Sequence, residues 1–331
     1  MDLDLFVAAN RRDWDRLDSL TKRRRRLTGA EVDELMELYQ RVSTHLSVVR
    51  SGGLDPALAA RLSGLVARAR AAIVGGHVSA WREVGRFFTE TFPAAVYRLR
   101  WWWLTAGAAF ILFATGVGAW VARNPDVQAA LATPDEIQNL VEHEFANYYV
   151  EYDSAAFAAQ VWTNNALVAA QCLVLGVFLM LPVLYVLALN AANVGVLGGF
   201  MFANDRGDIF LGLLLPHGML ELTAVFVAAG VGLKVGWSLI EPGARTRGRA
   251  LAEEGRSGIA VALGLVAVLF VSGLIEGFVT GYVHITWLRI SIGAAALGLF
   301  LVYVFTLGRT AAQRGVSGDI MERPANAPVV G

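Results

Sequence analysis

The sequence predicts an all-α protein that crosses a membrane several times. The chain has 331 residues, of which 56% are hydrophobic and only 17% are charged, and its mean hydropathy is +0.50. A soluble domain is about a quarter charged. Five stretches carry at most one charged residue each, and a bilayer core needs roughly 20 apolar residues per helix. These stretches lie at 101–122, 154–204, 209–233, 257–288 and 290–308.

Residues 1–76 differ from this pattern and predict a charged, helical, cytoplasmic domain. Within it, Thr28 and Glu31 have the spacing of a capping box, in which each side chain bonds the other residue's backbone N–H. Apolar residues then recur every three or four positions, which is the spacing of a buried helix face. These are Leu35, Leu38, Val42 and Leu46. Residues 77–100 are amphipathic and aromatic, and predict an elbow helix on the membrane surface.

The apolar stretches account for about six spans. The stretch 154–204 is too long for one crossing, since a helix rises 1.5 Å per residue, and we expect a break near Asn190. An outer loop follows the first span at 123–164, and a tail fills 309–331. The predicted spans are 101–122, 165–189, 190–203, 209–240, 258–282 and 287–308.

Charge is distributed unevenly between the ends of these spans. The N-terminal hundred residues, the segment 241–258 and the tail are rich in arginine, whereas 123–164 is acidic. Short basic loops remain on the cytoplasmic side. Six spans therefore predict that both termini lie in the cytoplasm.

The fourth span contains polar residues that lipid would not favour. Pro216 removes a backbone donor and predicts a helix break, with a re-entrant hairpin before the main span. His217 and Glu221 are four residues apart and so share a helix face. Ionisable groups inside a membrane need partners, and we expect one buried polar cluster in which one of the two acids holds a proton or shares His217. Its candidate members are Asn190, Asn193, His217, Glu221 and Glu276.

Small residues in the fourth and fifth spans have the spacing of close helix contacts. They are Gly232 and Gly236 in the fourth span, and Gly273, Gly277 and Gly281 in the fifth. Nearer the N-terminus, a run of basic residues could contact anionic lipid headgroups or simply be a solvated helix end. It comprises Lys22, Arg23, Arg24, Arg25 and Arg26.

The sequence offers little for cofactor or nucleic-acid chemistry. Its single cysteine, Cys172, excludes an internal disulfide framework and a cysteine metal cluster. Phosphate-binding glycine loops, dinucleotide fingerprints and helix-turn-helix patterns are not recognisable. We therefore predict no cofactor, no metal, no nucleic-acid partner and no catalytic residue.

Two motifs resemble a known family. The runs "NAANVGVLGGF" at 190–200 and "LLPHGMLELTAVFVAAGVGLKVG" at 214–236 are similar to the signature of the stage II sporulation protein M family. The runs "ELYQRVSTHLSVVRS" at 37–51 and "FFTETFP" at 87–93 are also similar to it. The resemblance, which extends over about 5–308, implies a multi-span bacterial inner-membrane protein. It also implies a role like that of the founding member, which anchors or recruits cell-wall hydrolases during engulfment.

The sequence is consistent with three functions. The leading hypothesis is a non-enzymatic membrane component of an envelope or membrane-remodelling assembly, which recruits or anchors partner proteins. The second is a permease-like transport subunit working with a separate ATPase. The third is an intramembrane metal-dependent enzyme, for which His217, Glu221 and Glu276 would supply the three protein ligands of a catalytic zinc site.

Overall fold

The computed structural model describes residues 3–23, 27–52, 55–74, 80–144, 154–280, 283 and 285–321. Over these residues the chain is helical and contains no strand. It divides between Val84 and Gly85 into two compact units.

The N-terminal unit is built around three helices. They are α1 (Leu3–Lys22), α2 (Gly29–Gly52) and α3 (Pro56–Val74). The predicted capping box is confirmed: Thr28 N–H donates to Glu31 Oε2 at 2.9 Å, and Glu31 N–H donates to Thr28 Oγ1 at 3.4 Å. The predicted apolar face of α2 is buried and meets apolar residues of α1 and α3. Together they form one core of Trp14, Leu17, Leu20, Leu35, Leu38, Val42, Leu46, Val49, Leu58, Leu62, Leu65 and Ala69.

The segment predicted as one elbow helix contains two short helices joined by a π-helical turn over the described residues 80–98. It consists of α4 (Ala80–Arg86), a π-helical turn (Phe87–Thr91) and α5 (Phe92–Arg98). Phe92 and Val96 are fully buried, because α5 packs against the last membrane helices. A Cβ on Gly264 would collide with the Phe92 ring, and one on Gly308 with the Pro93 carbonyl.

Six long helices follow. They are α6 (Arg100–Arg123), α9 (Ser154–Leu175), α10 (Leu181–Ala203), α11 (Gly207–Ile240), α12 (Arg247–Ile275) and α13 (Thr286–Tyr303). Between α6 and α9 lie the short helices α7 (Pro125–Leu131) and α8 (Pro134–Asn139), and α14 (Arg309–Gln313) ends the helical part of the chain. Five helices of the described chain are long and apolar enough to cross a membrane, namely α6, α10, α11, and the extended stretches Arg247–Val279 and Thr286–Gln313.

The break between the second and third predicted spans was placed wrongly. The chain turns at residues 176–180, and α10 then runs without interruption through Asn190. Leu179 and Met180 have φ of 57° and 70°, and Pro182 lies in the first turn of α10, where proline's missing donor costs nothing. Helix α9 begins at Ser154, inside the predicted outer loop. The uncharged stretch that starts at this residue extends to Asn204.

The predicted break at Pro216, and the re-entrant hairpin that depended on it, are also wrong. Helix α11 is continuous over 34 residues with Pro216 inside it. Proline in a helix interior leaves a carbonyl without its donor, but membrane helices tolerate this where neighbouring helices surround the site. Pro216 is buried, and the backbone of Gly293 in α13 lies directly against it.

Helix α11 is the centre of the membrane unit. It packs against α6, α9, α12 and α13, whereas α10 packs mainly against α6. Glycines permit the closest approaches: a Cβ on Gly195 of α10 would meet the Ala114 carbonyl of α6, and one on Gly258 of α12 would lie 2.8 Å from Val231 of α11. Side chains on α11 are therefore surrounded by protein on several sides.

Candidate functional site

A buried polar cluster lies where α9, α11 and α12 meet. Helix α11 contributes His217 and Glu221, which share a face because they are four residues apart. Helix α12 contributes Ser272, and Glu276 follows one turn later at the start of a π-helical turn (Glu276–Thr280). Helix α9 contributes Asn165. We call these five residues the polar cluster.

Specific contacts tie the polar cluster together. His217 Nδ1 forms an ion-pair contact with Glu276 Oε2, and Asn165 Nδ2 donates a short hydrogen bond to Glu221 Oε2. The Ser272 hydroxyl donates to the His217 carbonyl at 3.2 Å. Each contact joins α11 to a neighbouring helix, so the polar cluster links three helices through polar groups.

The polar cluster is closed to its surroundings. The exposed fractions are 3% for His217, 1% for Glu221, 0% for Ser272 and 2% for Glu276. These four residues do not line any of the three cavities described in the determined part of the chain, which lie against α6 and α10, around Arg245, and around Phe92. Buried polar groups persist in proteins when they have polar partners, and the contacts above pair His217 with Glu276 and Glu221 with Asn165.

Two residues expected in the polar cluster lie elsewhere, so that part of the prediction is wrong. Asn190 is half-buried and donates to the Val186 carbonyl of its own helix at 2.8 Å, and Asn193 is exposed. Both lie within a continuous helix that packs mainly on α6, so neither faces the groups on α11 and α12.

Asn165 and Ser272 were missed at the sequence level, although each had a signal. Ser272 is four residues before Glu276 and therefore shares its helix face. Asn165 ends a polar triplet, Thr163 to Asn165, that enters an apolar run. The predicted boundary between outer loop and span falls inside this triplet, with Asn165 as the first residue of the span 165–189, where polar residues need no buried partner.

Three of the predicted packing glycines make close contacts, and their partners lie on α9 and in the turn after it. Gly232 and Gly236 of α11 approach the end of α9 and the turn after it: a Cβ on Gly232 would meet the Cys172 carbonyl, and one on Gly236 would lie 2.7 Å from Met180. Gly273 faces α9 rather than α11, since its Cβ would lie 3.3 Å from Trp162. Gly277 is half-buried, and Gly281 lies outside the described residues.

The described part of the predicted basic run is engaged in ion pairs. Lys22 contacts Asp18 at 2.6 Å, and Arg23 contacts Glu31 at 3.1 Å. Arg24, Arg25 and Arg26 lie outside the described residues. Elsewhere in the described chain, no group of three or more histidine, cysteine or acidic side chains has an arrangement suited to a metal ion.

Comparison with known proteins places these features in a family. No curated protein and no solved structure matches the chain. Residues 4–75 match a family model described as a domain of unknown function, DUF8413, and this range covers α1 to α3. Residues 107–281 match the model described as Stage II sporulation protein M, and this range contains every residue of the polar cluster. Because the second match spans more than half of the chain, we conclude that this multi-pass membrane protein belongs to the Stage II sporulation protein M family.

Proposed function

We propose that the protein is a non-enzymatic membrane component of a bacterial envelope or membrane-remodelling assembly, and that it anchors or recruits partner proteins. The observation that carries this proposal is the closed polar cluster. Its contacts join α9, α11 and α12, and the near-complete burial of His217, Glu221, Ser272 and Glu276 leaves little surface for a substrate. Such a cluster suits a rigid membrane anchor.

The N-terminal unit is the part we propose for partner binding. It has its own apolar core, and its surface carries charged residues together with a small apolar patch. In that patch Val32 and Met36 are each 43% exposed, and they share a face of α2 because they are four residues apart. Isolated exposed apolar residues are common, so the patch is a contact to be tested by substitution.

We further propose that the protein lies in the inner membrane with both termini in the cytoplasm, on the basis of the asymmetric basic residues. The connection between α11 and α12 includes Arg245, and Arg247 begins α12. In this orientation the N-terminal unit meets cytoplasmic partners, and the basic run from Lys22 to Arg26 could contact anionic headgroups of the inner leaflet.

The two alternatives have less support. A permease needs a polar path or lateral opening at its protonatable groups, whereas the cavities described above are lined by other residues. A zinc enzyme needs three protein ligands around one ion, and the described residues contain no such arrangement.

Capture of partners from native membranes tests the proposal. We expect the full chain, purified after mild crosslinking, to retain specific envelope proteins. The variant Met36→Glu places a charge in the exposed patch and should reduce that capture without reducing the amount of folded protein. Glu37→Gln, on the next position of the same helix, changes charge outside the patch and is the matched control. Capture no greater than that of an unrelated multi-pass protein would contradict the proposal.

A further inference from the structure

An apolar groove runs along the outside of the membrane unit between α6, α10 and α11. Its volume is about 770 Å³, within the range of roughly 300–1,000 Å³ that is typical of small-molecule sites. Small side chains line it, including Ala106, Ala109, Ala188 and Ala191. Because neither Ala188 nor the neighbouring Leu184 is buried, the groove opens on the surface that faces lipid.

One end of the groove is aromatic, and two basic side chains lie beside its tryptophans. Trp101, Trp102 and Trp237 line this end, and the rings of Trp102 and Trp237 are 6.0 Å apart. The Lys234 ammonium lies 5.9 Å from the centre of the Trp102 ring. The Arg100 guanidinium lies 4.4 Å from the centre of the Tyr97 ring and 5.6 Å from that of Trp101. Tryptophan and basic residues at the end of a span mark the level of the lipid headgroups.

The two cations have no carboxylate partner in the described part of the chain. Neither Arg100 nor Lys234 takes part in any of the ion pairs found there, and the Arg100 guanidinium donates only to the Tyr97 carbonyl, at 3.2 Å. The acid at this end, Glu241, accepts a hydrogen bond from Trp237 Nε1 at 3.0 Å. Against the single carboxylate of Glu241, the two cations Arg100 and Lys234 leave a net positive charge beside one end of an otherwise apolar groove.

We propose that this groove is a binding site for an anionic phospholipid, with an acyl chain between α6 and α10 and the headgroup phosphate at Arg100 and Lys234. The charge distribution favours this occupant over a partner helix. A phospholipid brings its negative charge to one end and apolar surface to the rest. A transmembrane helix would have to supply an acid at the same depth. This inference is independent of the proposed anchoring function.

Binding of defined lipids to the purified full chain tests the inference. We expect phosphatidylglycerol to bind more tightly than phosphatidylcholine with the same acyl chains. Each basic residue near a lipid surface contributes about 1 kcal/mol, or roughly fivefold in affinity. Arg100→Gln and Lys234→Gln should each weaken phosphatidylglycerol binding by about that factor and phosphatidylcholine binding by less, because the choline ammonium already offsets the phosphate charge of the latter. Arg123→Gln, at the opposite exposed end of α6, is the matched control.

Filling the groove tests the acyl-chain part of the inference. Ala188→Trp places a large side chain in the groove from an exposed position and should weaken binding of both phospholipids. Ala295→Trp, on an exposed position of α13 away from the groove, should not. If a glutamine variant is poorly folded, Lys234→Arg and Arg100→Lys keep the charge. They should retain phosphatidylglycerol among the lipids that co-purify with the protein.

Four results would overturn the inference. The first is equal binding of the two phospholipids by the unaltered protein. The second is unchanged phosphatidylglycerol binding by the Arg100→Gln/Lys234→Gln double variant. The third is full displacement of phosphatidylglycerol by equimolar oleate, which would make the occupant a free fatty acid. The fourth is a disulfide-linked dimer formed in membranes by Ala188→Cys but not by Ala295→Cys, which would place a second copy in the groove.

Discussion

At the scale of single residues, substitutions of the buried Glu221 test whether the polar cluster stabilises the fold. Its described hydrogen bond comes from Asn165. Glu221→Gln keeps an oxygen that accepts this bond and should give nearly normal amounts of folded protein. Glu221→Leu leaves the Asn165 amide without an acceptor inside the protein, which costs roughly 1–3 kcal/mol. We expect a clearly lower unfolding temperature and yield in detergent for the leucine variant.

The double variant Asn165→Leu/Glu221→Leu supplies the control for this comparison. Replacing both partners by apolar groups costs less stability than leaving one of them buried without a hydrogen-bond partner. The double variant should therefore recover part of the lost stability. Equal unfolding temperatures for Glu221→Gln and Glu221→Leu would show that the hydrogen bond does not stabilise the fold.

His45 makes the N-terminal unit sensitive to acid. Burial, the largest influence, lowers the pKa of the His45 imidazole below its ordinary value; nearby Asp13 opposes this shift and Arg41 adds to it. His45 Nδ1 accepts a hydrogen bond from Trp14 Nε1 at 3.2 Å, which requires an unprotonated ring. Because the folded pKa is the lower one, this contribution is complete above the unfolded pKa of about 6.5. It is lost as the pH falls from there through the folded pKa.

Hydrogen exchange of peptides from 3–74 in the full chain measures this effect. Exchange should become faster between pH 7.5 and pH 5, after correction for its intrinsic pH dependence. In His45→Asn the side-chain oxygen can replace Nδ1 as an acceptor and does not titrate, so the acceleration should be smaller. The same acceleration in both proteins would assign the acid sensitivity to other groups.

At the scale of helices, the contact between α11 and α13 depends on Gly293. A Cβ at this position would overlap the backbone of Pro216, including its carbonyl. Backbone cannot move aside as a flexible side chain can, so Gly293→Ala should separate the two helices and lower the unfolding temperature. Gly298→Ala, five residues later in α13, meets nothing within 4 Å. It should be neutral or stabilising by roughly 0.5–1 kcal/mol, since alanine is the better helix former. Equal losses in both variants would contradict this account of the contact.

Helix boundaries were the least predictable part of the fold, and the reasons are physical. The turn before α10 contains Val177, Phe178 and Leu179, so it lacks the polar residues that usually mark a turn. Gly176 and Pro182, which flank the turn, were the available signals. At Pro216 the sequence predicts a break, whereas α11 is continuous there and lies against Gly293 of α13. Neither the apolar turn nor the long-range contact can be read from local spacing.

At the scale of the whole molecule, the orientation proposed from charge asymmetry can be tested by labelling. In a Cys172→Ser background, a cysteine replacing Ala244 lies on an exposed site between α11 and α12, and one replacing Gln138 lies on an exposed site of α8. We expect an impermeant thiol reagent outside intact cells to label position 138 and not position 244. Permeabilised cells, in which both sites should be labelled, are the control. Labelling at 244 from outside would contradict the proposed sidedness.

The candidate site was more predictable than the helix boundaries. Charged side chains within apolar runs are conspicuous, so His217, Glu221 and Glu276 could be identified without knowledge of the fold. Neutral polar residues are not, because their role depends on what they face. Ser272 faces α11 and Asn165 reaches Glu221, whereas Asn193 is exposed. Whether such a residue joins the polar cluster depends on how its helix packs against α11.

The most direct test of the account is partner capture by Glu221→Gln in native membranes, measured alongside the unaltered chain. If the polar cluster serves only to hold the membrane anchor together, the folded glutamine variant should capture the same envelope proteins in the same ratio to the bait. The account would be contradicted if Glu221→Gln accumulated and unfolded like the unaltered chain but lost its partners, because the carboxyl itself would then be part of the function.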